Sequence, residues 1–483
     1  MNDLSRRDWI ALGAILFLAL LLRLGTLNAP LWYDELTTVQ THLKLGWGEM
    51  LQSYSMNHHY LHNIAAKASM AAFGPAPWAI RLPALLFGLG GIAAMWVLAR
   101  DVAGRLPAHA TALLLALSYH HIWFSTNARG YTGMALFGTL ALIWFLRGLA
   151  SGKQRHWLLF AAMMAATIFT HLTGAFFFVG LGLVWLALLL VRAWQARLRR
   201  TDITGPFSGF ALGGFVTLLL YLPLLPSLLL TVSTVSESSA VDPMKEYQNP
   251  LWTVAEGVRT AIGQTGPVML IAGLGALTLI LLGSVSLRRR APLYGWIVAA
   301  HIGVTVLVLM AVGMRIWPRF FFADIPLLML LIVLGVLQIC TLLGRFLPPP
   351  LARGLFPAAL LVMSLLSAGL AARNYAAPKQ DLAGAFAITE AERQADERVY
   401  AISYAGEVFT GYFGADWVTI WTEADYREAL ATPGPLTIVV AFPGRNLREY
   451  PQMADDLQSG ILTLRTDLPG TLGDGDILIL HRN

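Results

Sequence analysis

Hydrophobic residues in this chain come in long unbroken blocks with little alternation. Residues 176–191 and 327–343 contain no Asp, Glu, Lys or Arg at all. About 20 apolar residues in a row carry a helix across the ~30 Å hydrocarbon core of a bilayer. Only a helix or a closed barrel satisfies its own backbone there. The pattern predicts eleven such helices, near 9–27, 80–99, 108–124, 131–148, 157–171, 174–191, 207–230, 267–286, 293–312, 319–342 and 356–372. The first block has no small-x-small site before Asn28-Ala29-Pro30 and reads as an uncleaved first helix.

Between the helices the polar residues are sorted by sign. Alternate loops, counting the N-terminus, hold 16 basic residues in six short segments, among them Arg147, Lys153 and Arg155, then Arg288, Arg289 and Arg290. The opposite loops, longer in total, hold only Lys44, Lys67, Arg81, Arg129, Lys245, Arg259, Arg315 and Arg319. Positive charge stays on the cytoplasmic side. Eleven spans therefore place the C-terminal tail outside, which in a bacterial inner (plasma) membrane means the periplasm.

Two exported loops and the tail break the helical pattern. Loop 26–79 is aromatic and polar, and its stretches 37–54 and 61–73 read as amphipathic helices in the membrane interface. Loop 231–266 shows little periodicity and suits a mobile cover. In the tail, β-rich runs at 399–403, 437–442, 461–465 and 477–481 alternate with helical ones at 406–413, 423–430 and 447–458. That alternation predicts a soluble α/β domain with a mainly parallel sheet. The fold class expected is an α-helical polytopic membrane protein, residues 1–372, with a C-terminal α/β domain, residues 373–483.

Composition agrees, with 56% hydrophobic and 13% charged residues. The net charge of +6 reflects topogenic arginines facing anionic lipid, and no nucleic-acid partner follows from it. The single cysteine, Cys340, lies inside a span, so no disulfide staples the tail.

Candidate chemistry clusters at the exported helix ends. Asp34 and Glu35 follow the first span within Trp32-Tyr33-Asp34-Glu35. Such a pair can cap a short helix, or one carboxylate can act as a general base. His58, His59 and His62 fall within five residues; a divalent metal is compatible with them, but no thiolate completes a zinc spacing. Arg129, Arg315 and Arg319 lie on the face that disfavours arginine; guanidinium groups there suit a lipid phosphate. Asp324, inside the tenth span, needs a partner, with Arg319 or Arg315 in reach.

The Asp-Glu pair, Asn57-His58-His59-Tyr60-Leu61-His62-Asn63, Arg81-Leu82-Pro83-Ala84, Ala128-Arg129-Gly130-Tyr131, Thr170-His171-Leu172-Thr173 and Arg319-Phe320-Phe321 with Pro326 occur in an order that resembles the bacterial GT-C glycosyltransferases. The branch is the family 39-like one, which holds protein O-mannosyltransferases and lipid A aminoarabinose transferases. The resemblance spans roughly residues 10–340. It implies sugar transfer on the periplasmic face from a polyprenyl-phosphate-linked donor to a glycan, lipid or protein acceptor, with inversion. Asp34 matches the catalytic carboxylate and Glu35 its neighbour. Arg129, Arg319 and Arg315 would hold the donor phosphate. Tyr33, Asn57, His58, His59, Tyr131 and His171 would line the substrate pocket. No cofactor is implied beyond the lipid-linked sugar, which is a substrate.

Two other classes compete. A transporter or flippase for a lipid-linked glycan predicts ionisable residues at mid-membrane and paired broken helices. Apart from Asp324 the polar groups sit at helix ends, and no inverted repeat is visible. A non-catalytic membrane scaffold has no use for an intact Asp34-Glu35 pair with Arg129.

Overall fold

A computed structural model describes residues 5–55, 57–237 and 245–482, with the side chains of 232–237 and 245 outside the description. Among the described residues, nine helices are long and apolar enough to cross a membrane. They are α1 (Arg6–Leu27), α5 (Pro77–Ala103), α8 (Tyr131–Ser151), α10 (Gly174–Trp194), α11 (Arg200–Tyr221, running on toward Thr231), α14 (Gly266–Leu287), α15 (Tyr294–Ala311), α16 (Asp324–Leu343) and α17 (Pro349–Ala371). Their outer faces expose large apolar side chains: Leu270, Ile271 and Leu274 of α14 are 61%, 71% and 56% exposed. Apolar surface on that scale requires a lipid solvent. The chain is a multi-pass membrane protein.

The other two expected spans are shorter. One is α9 (Gln154–Thr170), of 17 residues. The other breaks at Ser118 into α6 (Arg105–Leu117) and α7 (Tyr119–Ser125). Hydropathy does not register the break because α6 is apolar and Ile122, Trp123 and Phe124 continue the run in α7. The carbonyls of Leu115 and Ala116 accept from the buried Arg23 of α1, Leu115 also from Ser118 N at 3.3 Å, and Arg23 reaches His121 Nδ1 at 2.9 Å. An arginine inside the bundle thus replaces the missing helix turn. Where α14 crosses α16, Gly283 lies against the backbone of Leu331 and Gly335 against that of Leu279; a Cβ at either would collide with main chain. Small residues at a crossing let two membrane helices touch backbone to backbone.

Helix ends sort into two sides. On one, Asp8 pairs with Arg105, Arg147 with Asp101, and Arg192 with Asp202. On the other lie α2 (Tyr33–Thr38), a π-helical turn at Val39–Leu43, α3 (Trp47–Met50), α4 (Tyr60–Phe73), α12 (Leu225–Glu237), α13 (Pro250–Ile262) and the C-terminal sheet. The expected helix at 37–54 is therefore broken. Gly46 ends its first part, and Gly48 and Ser53 weaken the rest. In loop 231–266, Asn249 caps α13 by accepting from Leu251 N at 3.0 Å, and Pro250 starts it. The loop is partly helical as a result, and residues 238–244 lie outside the described set.

The tail continues through α18 (Leu382–Glu392), β1 (Arg398–Ile402), α19 (Tyr404–Gly411), β2 (Val418–Ile420), α20 (Glu423–Ala431), β3 (Leu436–Ala441), α21 (Pro443–Glu449), α22 (Pro451–Ser459), β4 (Thr463–Leu468) and β5 (Ile477–Arg482). Strand order is β2-β1-β3-β5-β4. β2, β1 and β3 are parallel, whereas β5 runs antiparallel to β3 and to β4. The sheet is mixed, where a mainly parallel one was expected. The short loop from Pro469 to Asp476 makes a hairpin of β4 and β5, which only antiparallel strands allow. Strand β2, three residues long, leaves too little pattern to read.

Alternate residues of the sheet face two cores. Tyr400, Ile402, Ile438 and Val440 pack on Tyr426, Tyr450 and Met453. Val399, Ala401, Val439 and Ala441 pack on α19 and also on Leu31, Leu36, Val39 and Leu43 of the loop after α1. One face of the sheet thus shares its core with the segment that carries Asp34 and Glu35.

Candidate active site

Arg81, in the first turns of α5, is fully buried. Its guanidinium donates to the carbonyl of Leu27, the last residue of α1, and to those of Ala29 and Pro30 just beyond the helix. Its remaining N–H groups hold Glu35, Nε to Oε1 at 2.8 Å and Nη2 to Oε2 at 2.6 Å. Glu35 also accepts from Trp32 N at 3.2 Å and Ala128 N at 2.6 Å. Burial opposes ionisation, but Arg81 and these donors hold the Glu35 carboxyl below its ordinary value. All its lone pairs are engaged. Glu35 ties α1, α2, α5 and the turn before α8 together, which is a positioning role.

The same ties aim Asp34 and Arg129. Asp34, one residue along α2 from Glu35, turns its side chain away from that knot and into a cavity. Arg129 sits in the turn between α7 and α8, held by the Ala128 contact and by Asn127, which accepts from Trp32 Nε1 at 3.1 Å. Gly130 follows because a Cβ there would lie 2.8 Å from Thr170 Cγ2 and 3.0 Å from His59 Nδ1. Arg319 comes from the 3-10 turn Pro318–Phe321 before α16, its guanidinium 4.5 Å over the Trp317 ring. Asp34 Oδ2 lies 3.7 Å from Arg129 Nη1 and 3.5 Å from Arg319 Nη1. Three segments far apart in sequence thus meet at one carboxylate.

The cavity measures about 1180 Å³. Its polar mouth holds Asp34, Arg315, Arg319, Glu246 and Arg259, and the C-terminal sheet closes one wall through Tyr404, Phe442 and Arg445. Downward it becomes apolar, between Ala272, Gly273 and Ala276 of α14, Ile302 and Val306 of α15, and Leu328 of α16. Ala276 is ten residues beyond Gly266 in α14, so this limb descends about 15 Å at ~1.5 Å per residue. That is about half of a ~30 Å hydrocarbon core.

Of the six expected pocket residues, Tyr33 and Tyr131 line the cavity. The others stand behind that wall. Asn57 accepts from Arg129 and donates to the Asp34 carbonyl at 3.4 Å. His59 and His171 pack against Tyr131, with ring centroids at 5.0 and 5.3 Å. Burial, with Arg129 nearby, keeps the His59 imidazole well below its usual range, so it is neutral. His58 stacks on Tyr60 at 3.7 Å and shares Asn63 with His62, at 3.1 and 3.3 Å, while His59 faces Tyr131 and His171. Asp324 pairs with His301 at 2.8 Å and not with Arg319 or Arg315; Arg319 is occupied by Asp34 instead.

Sequence reasoning missed several contributors. Lys379 reaches the Thr126 carbonyl at 2.6 Å and fixes the turn that carries Arg129 from the tail side. Burial, with Arg81 nearby, brings its pKa down to about 7. Gln380 accepts from Tyr33 N at 3.4 Å. Tyr247 stacks on Trp317 at 4.2 Å and orients the Arg319 turn. Each acts across more than 60 residues of chain, a coupling that one sequence does not display.

Known proteins show the same architecture. Residues 57–226 match a family model described as dolichyl-phosphate-mannose-protein mannosyltransferase, a stretch that contains Arg81 and Arg129 but not Asp34 or Arg319. ArnT from Cupriavidus metallidurans in the apo state superposes with a TM-score of 0.57 at 13% identity, covering 98% of this chain and 97% of that one. Its complex with undecaprenyl phosphate gives 0.53 at 14% identity, covering 99% and 98%. The archaeal oligosaccharyltransferase AglB from Archaeoglobus fulgidus, in complex with an inhibitory peptide and a dolichol-phosphate, gives 0.50 at 11% identity, covering 91% and 70%. No curated protein matches by sequence. The chain has the fold of the GT-C glycosyltransferase superfamily. Among these solved structures, ArnT from Cupriavidus metallidurans is alike over nearly its whole length.

Proposed function

We propose that the protein is a membrane glycosyltransferase that moves a sugar from a polyprenyl-phosphate donor to an acceptor hydroxyl on the periplasmic face. The observation that carries this reading is Asp34 set between Arg129 and Arg319 at the head of a cavity whose apolar limb descends half-way into the membrane. A lipid-linked phosphate is complementary to it, with an anionic head on an apolar chain. The undecaprenyl phosphate bound by the ArnT relative supports the assignment.

In this mechanism Asp34 takes the proton of the acceptor hydroxyl as its oxygen bonds to the anomeric carbon. The bond from that carbon to the phosphate oxygen breaks, and its electron pair leaves with the lipid phosphate. Arg319 and Arg129 stabilise the charge that develops there. With Glu35 sealed by Arg81, one base acts without a covalent sugar intermediate, and a single displacement inverts the anomeric carbon.

Arg129→Lys and Arg319→Lys keep the charge and lose the planar fork. Each should lower kcat/KM for donor by about tenfold to a hundredfold, short of the ~10²–10³ for removing a transition-state donor outright. Steady-state transfer with varied lipid-linked sugar checks this; unchanged donor kinetics in both would mean the arginines only neutralise Asp34. The orientation has its own test. Reporter fusions after Arg290 and at the C-terminus should report opposite compartments, the latter periplasmic. Matching signals would invalidate the placement of the sheet outside.

A further inference from the structure

The three parallel strands of the tail end toward the cavity, and each end carries an aromatic residue. Tyr404 follows β1, Trp421 follows β2 and Phe442 follows β3. The chain leaves β1 for β2 on one side and returns to β3 on the other, so the order reverses between β1 and β3. In open α/β sheets, ligands settle outside the carboxyl ends of the strands at that reversal. Both strands bordering it end in a non-glycine residue of positive φ, Ser403 at 58° and Phe442 at 53°. Strained backbone of this kind is kept where surrounding structure or function demands it. Here it turns the chain sharply, so Tyr404 and Phe442 face the cavity that also holds Asp34.

The aromatic groups make a strip. Trp421 and Tyr404 meet edge to face at 5.4 Å and are 44% and 54% exposed. At the other end Phe442 meets Tyr33 at 5.6 Å, and Tyr33 precedes Asp34 in the chain. Polar groups of both signs border the strip. Arg448 lies 3.4 Å from Glu246, and Asp474 accepts from Gly444 N and Arg445 N at 2.6 and 3.0 Å. Arg445 lies over the Phe442 ring at 4.9 Å.

We propose that this strip is the acceptor subsite and that the acceptor is an uncharged glycan; the inference rests on the transferase reading. A sugar ring presents an apolar C–H face and a rim of hydroxyls. Flat aromatic plates with donors and acceptors at their edges match both. A lipid tail would meet the bordering charges, and an anionic polymer would have to displace Glu246 and Asp474. The glycan enters over Trp421 and Tyr404, passes Phe442, and presents its accepting hydroxyl to Asp34.

The test uses the full-length protein in detergent, an immobilised panel of neutral hexose- and pentose-containing oligosaccharides, and undecaprenyl phosphate as a separate probe. Oligosaccharide binding should be present in the wild type and in Tyr404→Phe. It should fall at least about tenfold in Tyr404→Ala and Trp421→Ala, as for a central aromatic contact. Undecaprenyl phosphate binding should be the same in all four. Oligosaccharide binding that survives both alanine variants, or a wild type that holds no oligosaccharide but glycosylates a peptide, overturns the inference. Oligosaccharide held on the strip by a protein that neither binds undecaprenyl phosphate nor transfers sugar keeps the strip and overturns the transferase reading.

Discussion

Asp34→Asn will yield a folded protein that does not transfer sugar. A positioned base contributes ~10²–10⁴-fold, so turnover should fall by at least that factor. The substitution keeps the size of the side chain and removes one negative charge. It weakens the two charge contacts to Arg129 and Arg319, both longer than a hydrogen bond at 3.7 and 3.5 Å, and leaves the bonds that hold α2 through Glu35 and through the Asp34 carbonyl, which accepts from Thr38 Oγ1 at 2.8 Å. Asn also suits a helix start about as well as Asp. Thermal stability in detergent should stay near wild type, and undecaprenyl phosphate should still bind. Near-normal turnover would eliminate Asp34 as the base.

Its neighbour should fail in the opposite way. Glu35→Ala leaves Arg81 buried and unpaired, a defect that costs about 3–5 kcal/mol. Both side chains of the pair are wholly excluded from solvent, so screening does not soften that figure. The expected result is poor accumulation and a markedly lower unfolding temperature, with activity lost along with the fold. Glu35→Leu combined with Arg81→Met should recover part of the stability, since an apolar pair can replace a buried ion pair. Recovery stays partial because Arg81 also satisfies the carbonyls at the end of α1. At low pH the same pair weakens. The Glu35 pKa lies below its ordinary value, so its contribution is intact at neutral pH and is lost only as pH falls through the lowered value. A Glu35→Ala protein of wild-type stability would remove Glu35 from the role of anchor.

Adjacent carboxylates with opposite fates show what the sequence can and cannot disclose. Asp34-Glu35 stands out because two acidic residues follow an apolar span, and the resemblance assigns a role to the first. Which one is sealed depends on Arg81 and Ala128, 46 and 93 residues away. The spans were legible because burial in lipid leaves a one-dimensional record. The break at Ser118 was not, since the compensating Arg23 lies on another helix. Arg129 and Arg319 were singled out by sitting on the side that disfavours arginine. Their meeting at Asp34, with Asp324 diverted to His301, is a property of the fold. The tail reads as strands and helices, yet its aromatic strip emerges only when strand order places Tyr404, Trp421 and Phe442 side by side.

The deciding measurement is an electron cryomicroscopy structure of the Asp34→Asn protein with undecaprenyl phosphate. The phosphate should lie within direct hydrogen-bond reach of Arg319, with Arg129 converging on the same group. The polyprenyl chain should run between α14, α15 and α16 beside Gly273, Ala276 and Leu328. Lipid density confined to the outside of the bundle, with the cavity below Asp34 empty, would contradict that placement.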